Sequence, residues 1–399
     1  MVLIFNKFYY VVAILLLPHF FYSQDKLIEE ISNVKTIIKS DASASMDKII
    51  SCSYDDEIYF TTQSNYRSLN YRCIYILNNN KSSLDSITIF RNNKTKDFFE
   101  ERFFSFAIVK NKIVLLTDPH IVTLTFKKNK IEEISSIKNE KFFNTVKLLD
   151  DNYLFLYINY NFHPFDSPDK HVWAKLNLKS NKIEDLKKMN EENSIFSHFV
   201  NNWVSVYKNE IAYSMTSKYK IYLFNKNFEL YDSIISNKLD SNQIFLNSLK
   251  LKNNYSKDDI NEIMKKDAEF LKRIQKIFLL DSTHLLVMLK LPKTSNCEFD
   301  LWVKKNGSWS INKTSIINNS YVANQFYDEK NTLFDAFFGN VNGIVYKGNF
   351  EFSTIYFPYL ENIKTNSFNI NTDYNEKINN LVKKNELYYG IKNYRIETK

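Results

Sequence analysis

The chain has 399 residues, of which 44% are hydrophobic and 16% aromatic, and a formal net charge of +8. The positive charge is spread singly rather than clustered among exposed aromatics, which argues against a nucleic-acid groove. With only five glycines in the chain, a glycine-built nest for a phosphate is excluded as well.

In chain order, Lys7 precedes an uncharged apolar stretch from Phe8 to Leu17, and the small residue Ser23 follows. The run reaches roughly 14 residues even if extended to Phe21, short of the ~20 needed to span a bilayer. Residues 1–23 therefore read as a secretory signal peptide. An uncleaved anchor is the alternative, because Phe21 is large for its place ahead of the cut. Cleavage leaves residues 24–399, a length that suits two or three ordinary domains or one large repeat domain, and no other apolar stretch approaches membrane length.

From Ile49 onward, β-rich runs recur in fours, separated by polar tips. Unit one has Ile49–Cys52, Glu57–Thr62, Cys73–Leu77 and Leu84–Ile89. Unit two, the clearest, has Phe103–Val109, Lys112–Thr117, Ile121–Phe126 and Lys130–Ile137. Unit three has Phe143–Leu148, Tyr153–Tyr157, Val172–Leu178 and Lys182–Leu186, and unit four Trp203–Tyr207, Glu210–Met215, Lys220–Phe224 and Phe228–Ile234. A run opening at Ser256, with Asp258 and Asp259 in its first turn and Ile260, Ile263, Met264 and Leu271 on one stripe, predicts a short helical insertion at about 256–273. Unit five has Ile274–Leu279, His284–Leu289, Phe299–Val303 and Ser308–Ile311; unit six has Val322–Phe326, Thr332–Phe337, Gly343–Tyr346 and Phe350–Tyr356. Three runs close the chain: Ile378–Val382, Glu386–Ile391 and Tyr394–Ile396.

The missing fourth run is at the other end. Ile28–Lys35 reads IEEISNVK, close to IEEISSIK at Ile131–Lys138, the outer strand of unit two. The expected fold is all-β: a single β-propeller, seven blades favoured and six the alternative, its ring closed by the N- and C-terminal strands so that no blade edge stays open. Asparagine stands in for glycine at the turns because it tolerates positive φ better than other residues. Cys52 and Cys73 fall on the first and third strands of one unit, about 9–10 Å apart and beyond disulfide reach, which predicts reduced thiols.

The periodicity resembles that of secreted bacterial propellers with degenerate repeats, the broad TolB-like and NHL-like group, and covers nearly the whole chain after Ser23. Lys304–Trp309 resembles a worn Asp-box hairpin. Such families span binding proteins, scaffolds and enzymes, so the resemblance implies a fold and an exported location, periplasmic or secreted, and no reaction.

Propeller ligands meet the loops between second and third strands, near the channel. The longest such loop carries His163, Asp166, Asp169 and His171; His198, Arg102, Arg67, Arg72 and His120 are expected on the same face. Imidazole with carboxylate could serve a polar ligand, but the spacing matches no metal motif, and no nucleophile elbow or cofactor fingerprint is present. The reading is a monomeric, non-catalytic propeller that binds a protein, peptide or glycan. The alternative is a polysaccharide hydrolase or lyase using a histidine at the channel mouth.

Overall fold

The computed structural model describes residues 27–37, 49–55, 57–62, 71–78, 84–92, 95, 101, 103–128, 130–158, 172–188, 203–214, 218–240, 272–291, 296–318, 344–356 and 388–398. The first strand, β1 (Ile28–Ile37), joins a sheet that is completed only by the other end of the chain. Blade 1 is β2 (Ile49–Tyr54), β3 (Glu57–Thr62), β4 (Tyr71–Asn78) and β5 (Leu84–Phe90). Blade 2 is β6 (Phe103–Val109), β7 (Lys112–Thr117), β8 (His120–Lys127) and β9 (Lys130–Lys138). Blade 3 is β10 (Thr145–Leu148), β11 (Tyr153–Tyr157), β12 (Val172–Asn177) and β13 (Lys182–Lys188), and blade 4 is β14 (Trp203–Tyr207), β15 (Glu210–Ser214), β16 (Lys220–Asn225) and β17 (Leu230–Ile235). Blade 5 is β18 (Arg273–Leu279), β19 (His284–Lys290), β20 (Asn296–Lys305) and β21 (Ser308–Asn318). Blade 6 orders β22 (Ile344–Gly348), β23 (Glu351–Tyr356), β24 (Tyr388–Ile396) and then β1.

The described residues thus form a six-bladed propeller, which corrects the expected seven. The runs Gly343–Tyr346 and Phe350–Tyr356, read as the outer half of unit six, are the inner half of the last blade. Of Glu386–Ile391 and Tyr394–Ile396, read as two strands, the described residues from Tyr388 onward belong to the single strand β24. Its Lys392-Asn393 step needs no turn, because the Asn393 side chain is taken up within the sheet, accepting hydrogen bonds from Ser353 Oγ and from Lys347 Nζ at 3.4 Å. Val322–Phe326, Thr332–Phe337 and Ile378–Val382 lie outside the described residues. So does most of the expected helix at 256–273, although its last residue, Arg273, opens β18 instead.

β1 pairs antiparallel with β24 from Ile28 opposite Ile396 to Ile37 opposite Tyr388. Leu27, fully buried, shares a core cluster with Ile396 and Phe352.

Within a blade, burial falls from inside to outside. Every residue of β6 is buried, whereas β9 exposes six of its nine. Apolar surface therefore accumulates between blades, where each buried large side chain contributes about 1.5–3 kcal/mol. Between blades 3 and 4 the contact is aromatic: Trp173 sits edge-on to Phe155, Tyr213, Phe224 and Phe228. Innermost strands also exchange serine hydrogen bonds. Ser205 Oγ accepts from Leu279 N at 2.8 Å, and Ser53 Oγ donates to Tyr346 O at 2.8 Å, joining blade 4 to 5 and blade 1 to 6.

The chain turns with little glycine by two devices. Asn181, Asn209, Asn306 and Asn349 take positive φ of 53°, 70°, 52° and 51° at hairpin tips, but Lys110 and Lys128 do so as well at 54° and 47°. Side chains of Asp150, Asn177, Asn225 and Asp281 accept from backbone N–H groups two or three residues on, the local Asx geometry that polar turn residues favour. The Asp-box-like segment is the β20–β21 hairpin, with Asn306 at φ 52° and Gly307 at φ 80°. Its Trp309 Nε1 and Lys304 Nζ both donate to Asp232 Oδ2 of the neighbouring blade, at 3.0 and 2.6 Å.

Asn139 carries the crossing from blade 2 to blade 3. Its buried amide donates to Thr117 O (3.0 Å) and Phe143 O (2.8 Å) and accepts from Phe143 N (2.9 Å). Asn139→Ala leaves those backbone groups buried without partners and is expected to cost about 1–3 kcal/mol in a urea titration.

Candidate binding face and axis

Turns such as Lys110-Asn111 close one end of each blade, so the loops between second and third strands gather at the other end, with the crossings from one blade to the next. Of the residues expected on that face, Arg67, Arg102, His163, Asp166, Asp169, His171 and His198 lie outside the described residues; Arg72 and His120 are described.

Arg72 sits within β4, not on the loop before it, and is 5% exposed. Its guanidinium carbon lies 4.6 Å from the centroid of the Phe103 ring, so the cation is stacked between blades 1 and 2.

His120 is at the face. Its side chain is 39% exposed and its Nδ1 lies 2.6 Å from Glu101 Oε1. Thr117 Oγ1 donates to Glu101 Oε2 at 2.5 Å and also receives the His120 N–H at 3.2 Å. The tight β7–β8 connection through Asp118-Pro119 brings these groups together. A carboxylate that fixes Nδ1 leaves Nε2 as the outward-facing nitrogen of the ring. His284, by contrast, is a turn residue: its Nδ1 lies 3.0 Å from Asp281 Oδ1 and its ring is edge-on to Phe350.

A second group was not singled out from sequence. The innermost strands β2, β6, β10, β14, β18 and β22 carry Lys147, Arg273, Lys276 and Lys347, and none of them contains Asp or Glu. Lys347 reaches outward, 3.9 Å from Glu351 Oε2. Lys147 and Lys276, on blades 3 and 5, are both half-buried; Lys147 acts electrostatically on Lys276, whose Nζ also lies 5.3 Å from the centroid of the Phe278 ring, and Lys147 in turn feels Cys52 on blade 1. Neither pair belongs to adjacent blades. Burial, then the charge of Lys147, pushes the Lys276 ammonium well below the ordinary lysine range. Burial also lowers Lys147, against which a Cys52 thiolate would act. Burial pushes the Cys52 thiol itself up to about 12, so at neutral pH it is an uncharged neighbour. The signal was present in the sequence: lone lysines inside the apolar runs TVKL and RIQKIFL, with no acid in either.

A third polar cluster lies between blades 4 and 5. Asp300, fully buried, accepts from Tyr219 Oη (2.8 Å), Lys238 Nζ (2.5 Å) and Thr314 Oγ1 (2.6 Å). Trp302 Nε1 donates to Tyr219 Oη at 2.7 Å, and Glu298 bridges Lys238 and Lys272 at 2.9 and 2.6 Å. Every member is engaged, the pattern of a structural lock. No disulfide joins Cys52, Cys73 and Cys297. Among the described residues, no three His, Cys, Asp or Glu side chains converge as a metal site, and no helix is long and apolar enough to cross a membrane.

These features define an all-β propeller whose described residues form six blades. No family model matches the sequence, and no curated protein matches it either. Among solved structures, the chain is similar to a member of the DUF4221 family from Bacteroides vulgatus, with a TM-score of 0.52 at 11% identity over 94% of this chain and 99% of that one. A Bacteroides fragilis protein described as exported gives a TM-score of 0.53 at 11% identity, covering 94% of this chain and 97% of that one. At that identity the similarity establishes the propeller fold.

Proposed function

We propose that this is an exported, monomeric, non-catalytic propeller. Its six blades form a closed ring that binds a protein, peptide or glycan on the face bearing the loops between second and third strands. The observation that carries this reading is the His120–Glu101–Thr117 arrangement, which holds a solvent-facing imidazole in one orientation on that face. Preorganised side chains on a rigid scaffold lose little entropy on binding. Arg67, Arg102, His163, Asp166, Asp169, His171 and His198 complete the surface in this reading, with Arg72 bracing blade 1 beneath it. Residues 1–23 are the signal peptide, a reading consistent with the exported neighbour, and the mature chain is secreted or held in the periplasm or cell envelope.

The test is a screen of residues 24–399 against immobilised glycan and peptide panels, with binders quantified by calorimetry. A binder whose affinity falls at least about ten-fold in His120→Ala, with melting temperature held, supports the assignment. Absence of any binder, or affinity untouched by substitutions at His120, His163 and His171, would overturn it.

A further inference from the structure

Phe142, on the crossing from blade 2 to blade 3, goes against two local preferences at once. Its φ is 55°, a region that Gly or Asn enters readily and a bulky side chain enters only at a cost. It is also 48% exposed, although the next residue, Phe143, is fully buried. Two other phenylalanines take positive φ, Phe228 and Phe350, both at 61°. Each puts its ring to structural use: Phe228 is buried against Phe155 and Trp173, and Phe350 packs on the core cluster of Phe352 and Ile396, edge-on to His284. Phe142 leaves about half of its surface in water instead. Strain kept where burial gains little marks a residue held for contact with a ligand.

The same crossing ties Phe142 to His120. Asn139 N–H donates to Pro119 O at 2.8 Å, and Phe142 N–H donates to Asn139 O at 3.0 Å, closing a turn over Glu140-Lys141. The Asn139 amide also donates to Thr117 O at 3.0 Å, and Thr117 holds Glu101, which holds the His120 ring. The ends of such a turn lie within about 7 Å of each other. Lys138 faces His120 across the β8–β9 ladder, so the Phe142 and His120 backbones are roughly 10–13 Å apart. That is the length of a disaccharide. Asp118 and Glu140 are balanced around it by Lys138 and Lys141, so these four leave no net charge to draw an anion. Resting on the loop-face reading, we infer that the ligand class of this site is a neutral glycan. The Phe142 ring stacks on the C–H face of one pyranose, and His120 Nε2 exchanges a hydrogen bond with a hydroxyl of its neighbour. A sugar presents both surfaces, one flat and apolar and one ringed with hydroxyls, and preorganised groups for each meet here at little entropic cost. A peptide side chain that anchors binding needs a desolvated pocket, whereas an aromatic ring exposed on a turn offers a platform.

The experiment uses residues 24–399 with neutral oligosaccharides of hexose and N-acetylhexosamine, and with sulfated oligosaccharides and a peptide panel as the other arms. At least one neutral oligosaccharide is expected to bind. Phe142→Asn should weaken it at least about ten-fold by calorimetry, while the melting temperature holds or rises because Asn accepts both positive φ and exposure to water. Phe142→Trp keeps a flat ring, so affinity should stay within about three-fold and the indole emission should shift on adding the oligosaccharide. His120→Ala should weaken the same binder. If the ring only held the crossing in place, Phe142→Asn would lower the melting temperature by several degrees, and that result would overturn the inference. So would a glycan that binds only when sulfated, or one whose affinity ignores Phe142→Asn. A peptide binder lost in His120→Ala but kept in Phe142→Asn would overturn the glycan assignment and leave the loop-face reading standing; no binder in any arm would sink both.

Discussion

Asp300→Ala is expected to lower the unfolding free energy by about 3–5 kcal/mol, the usual cost of removing one partner from a buried charged pair. Asp300 has no exposed surface and accepts three hydrogen bonds, so the substitution strands the Tyr219 hydroxyl and Thr314 and leaves Lys238 with Glu298 as its remaining acid. Burial keeps the Tyr219 phenol protonated, so it remains a donor. Tyr219→Phe should cost less, about 1 kcal/mol, and the double variant should fall short of the sum because the two groups share one bond. Urea titration of the four proteins closes the cycle; additive losses would show that the network is not coupled.

The same cluster sets a pH dependence. Burial opposes ionisation of Glu298, but hydrogen bonds from Lys272 and Lys238 outweigh it and hold the carboxyl below its ordinary 4.5. A depressed carboxyl pKa contributes stability that is complete above 4.5 and is lost as pH falls through the folded value. Lys238 is displaced the other way: burial lowers it, Asp300 and Glu298 more than reverse that, and its contribution holds below 10.5 and fades as pH rises through the folded value. In the wild-type chain the urea midpoint should therefore drop on acidification below about pH 4.5, and the drop should be smaller in Glu298→Gln.

Removing residues 24–38 should have a still larger effect. β1 supplies the outer strand of blade 6, and without it β24 presents a long unpaired edge from Tyr388 to Ile396. Leu27 leaves the core at the same time, uncovering Ile396 and Phe352. A free edge of that length invites pairing with other chains, and the loss is comparable with the ~5–15 kcal/mol that holds a domain together. The truncated chain is expected to elute as aggregate in size-exclusion chromatography, and a synthetic peptide of residues 24–40 supplied during refolding should restore monomer. A truncated chain that stays monomeric and melts within about 2 °C of the full one would show that β1 is dispensable.

Much of this architecture was readable from residue order. Alternation and turn chemistry located all four strands of blades 1 to 5, because strand formation depends on local pattern and on which face is apolar. The match between Ile28–Lys35 and Ile131–Lys138 marked the first strand as an outer one, since outer strands share a sparse, charged pattern wherever they occur. The blade count was not readable. Gly343–Tyr356 looks the same whether it forms the inner or the outer half of a blade, and the answer depends on which distant strand supplies its partners. β24 was split in two for a related reason: Lys392-Asn393 resembles a turn until Ser353 and Lys347 take up the asparagine.

For the candidate sites the division is the same. The loop-face histidines and arginines stand out by residue type, and His120 does lie on that face, but its pairing with Glu101 depends on the crossing that brings residue 101 beside residue 120. Arg72 looked like a loop cation until the fold buried it on Phe103. Lys147 and Lys276 are 129 positions apart and unremarkable alone. Residue order sets which segments become strands, because that choice is made over a few neighbouring side chains; only the packing of blade against blade decides which charges meet, because that depends on contacts between residues far apart in the chain.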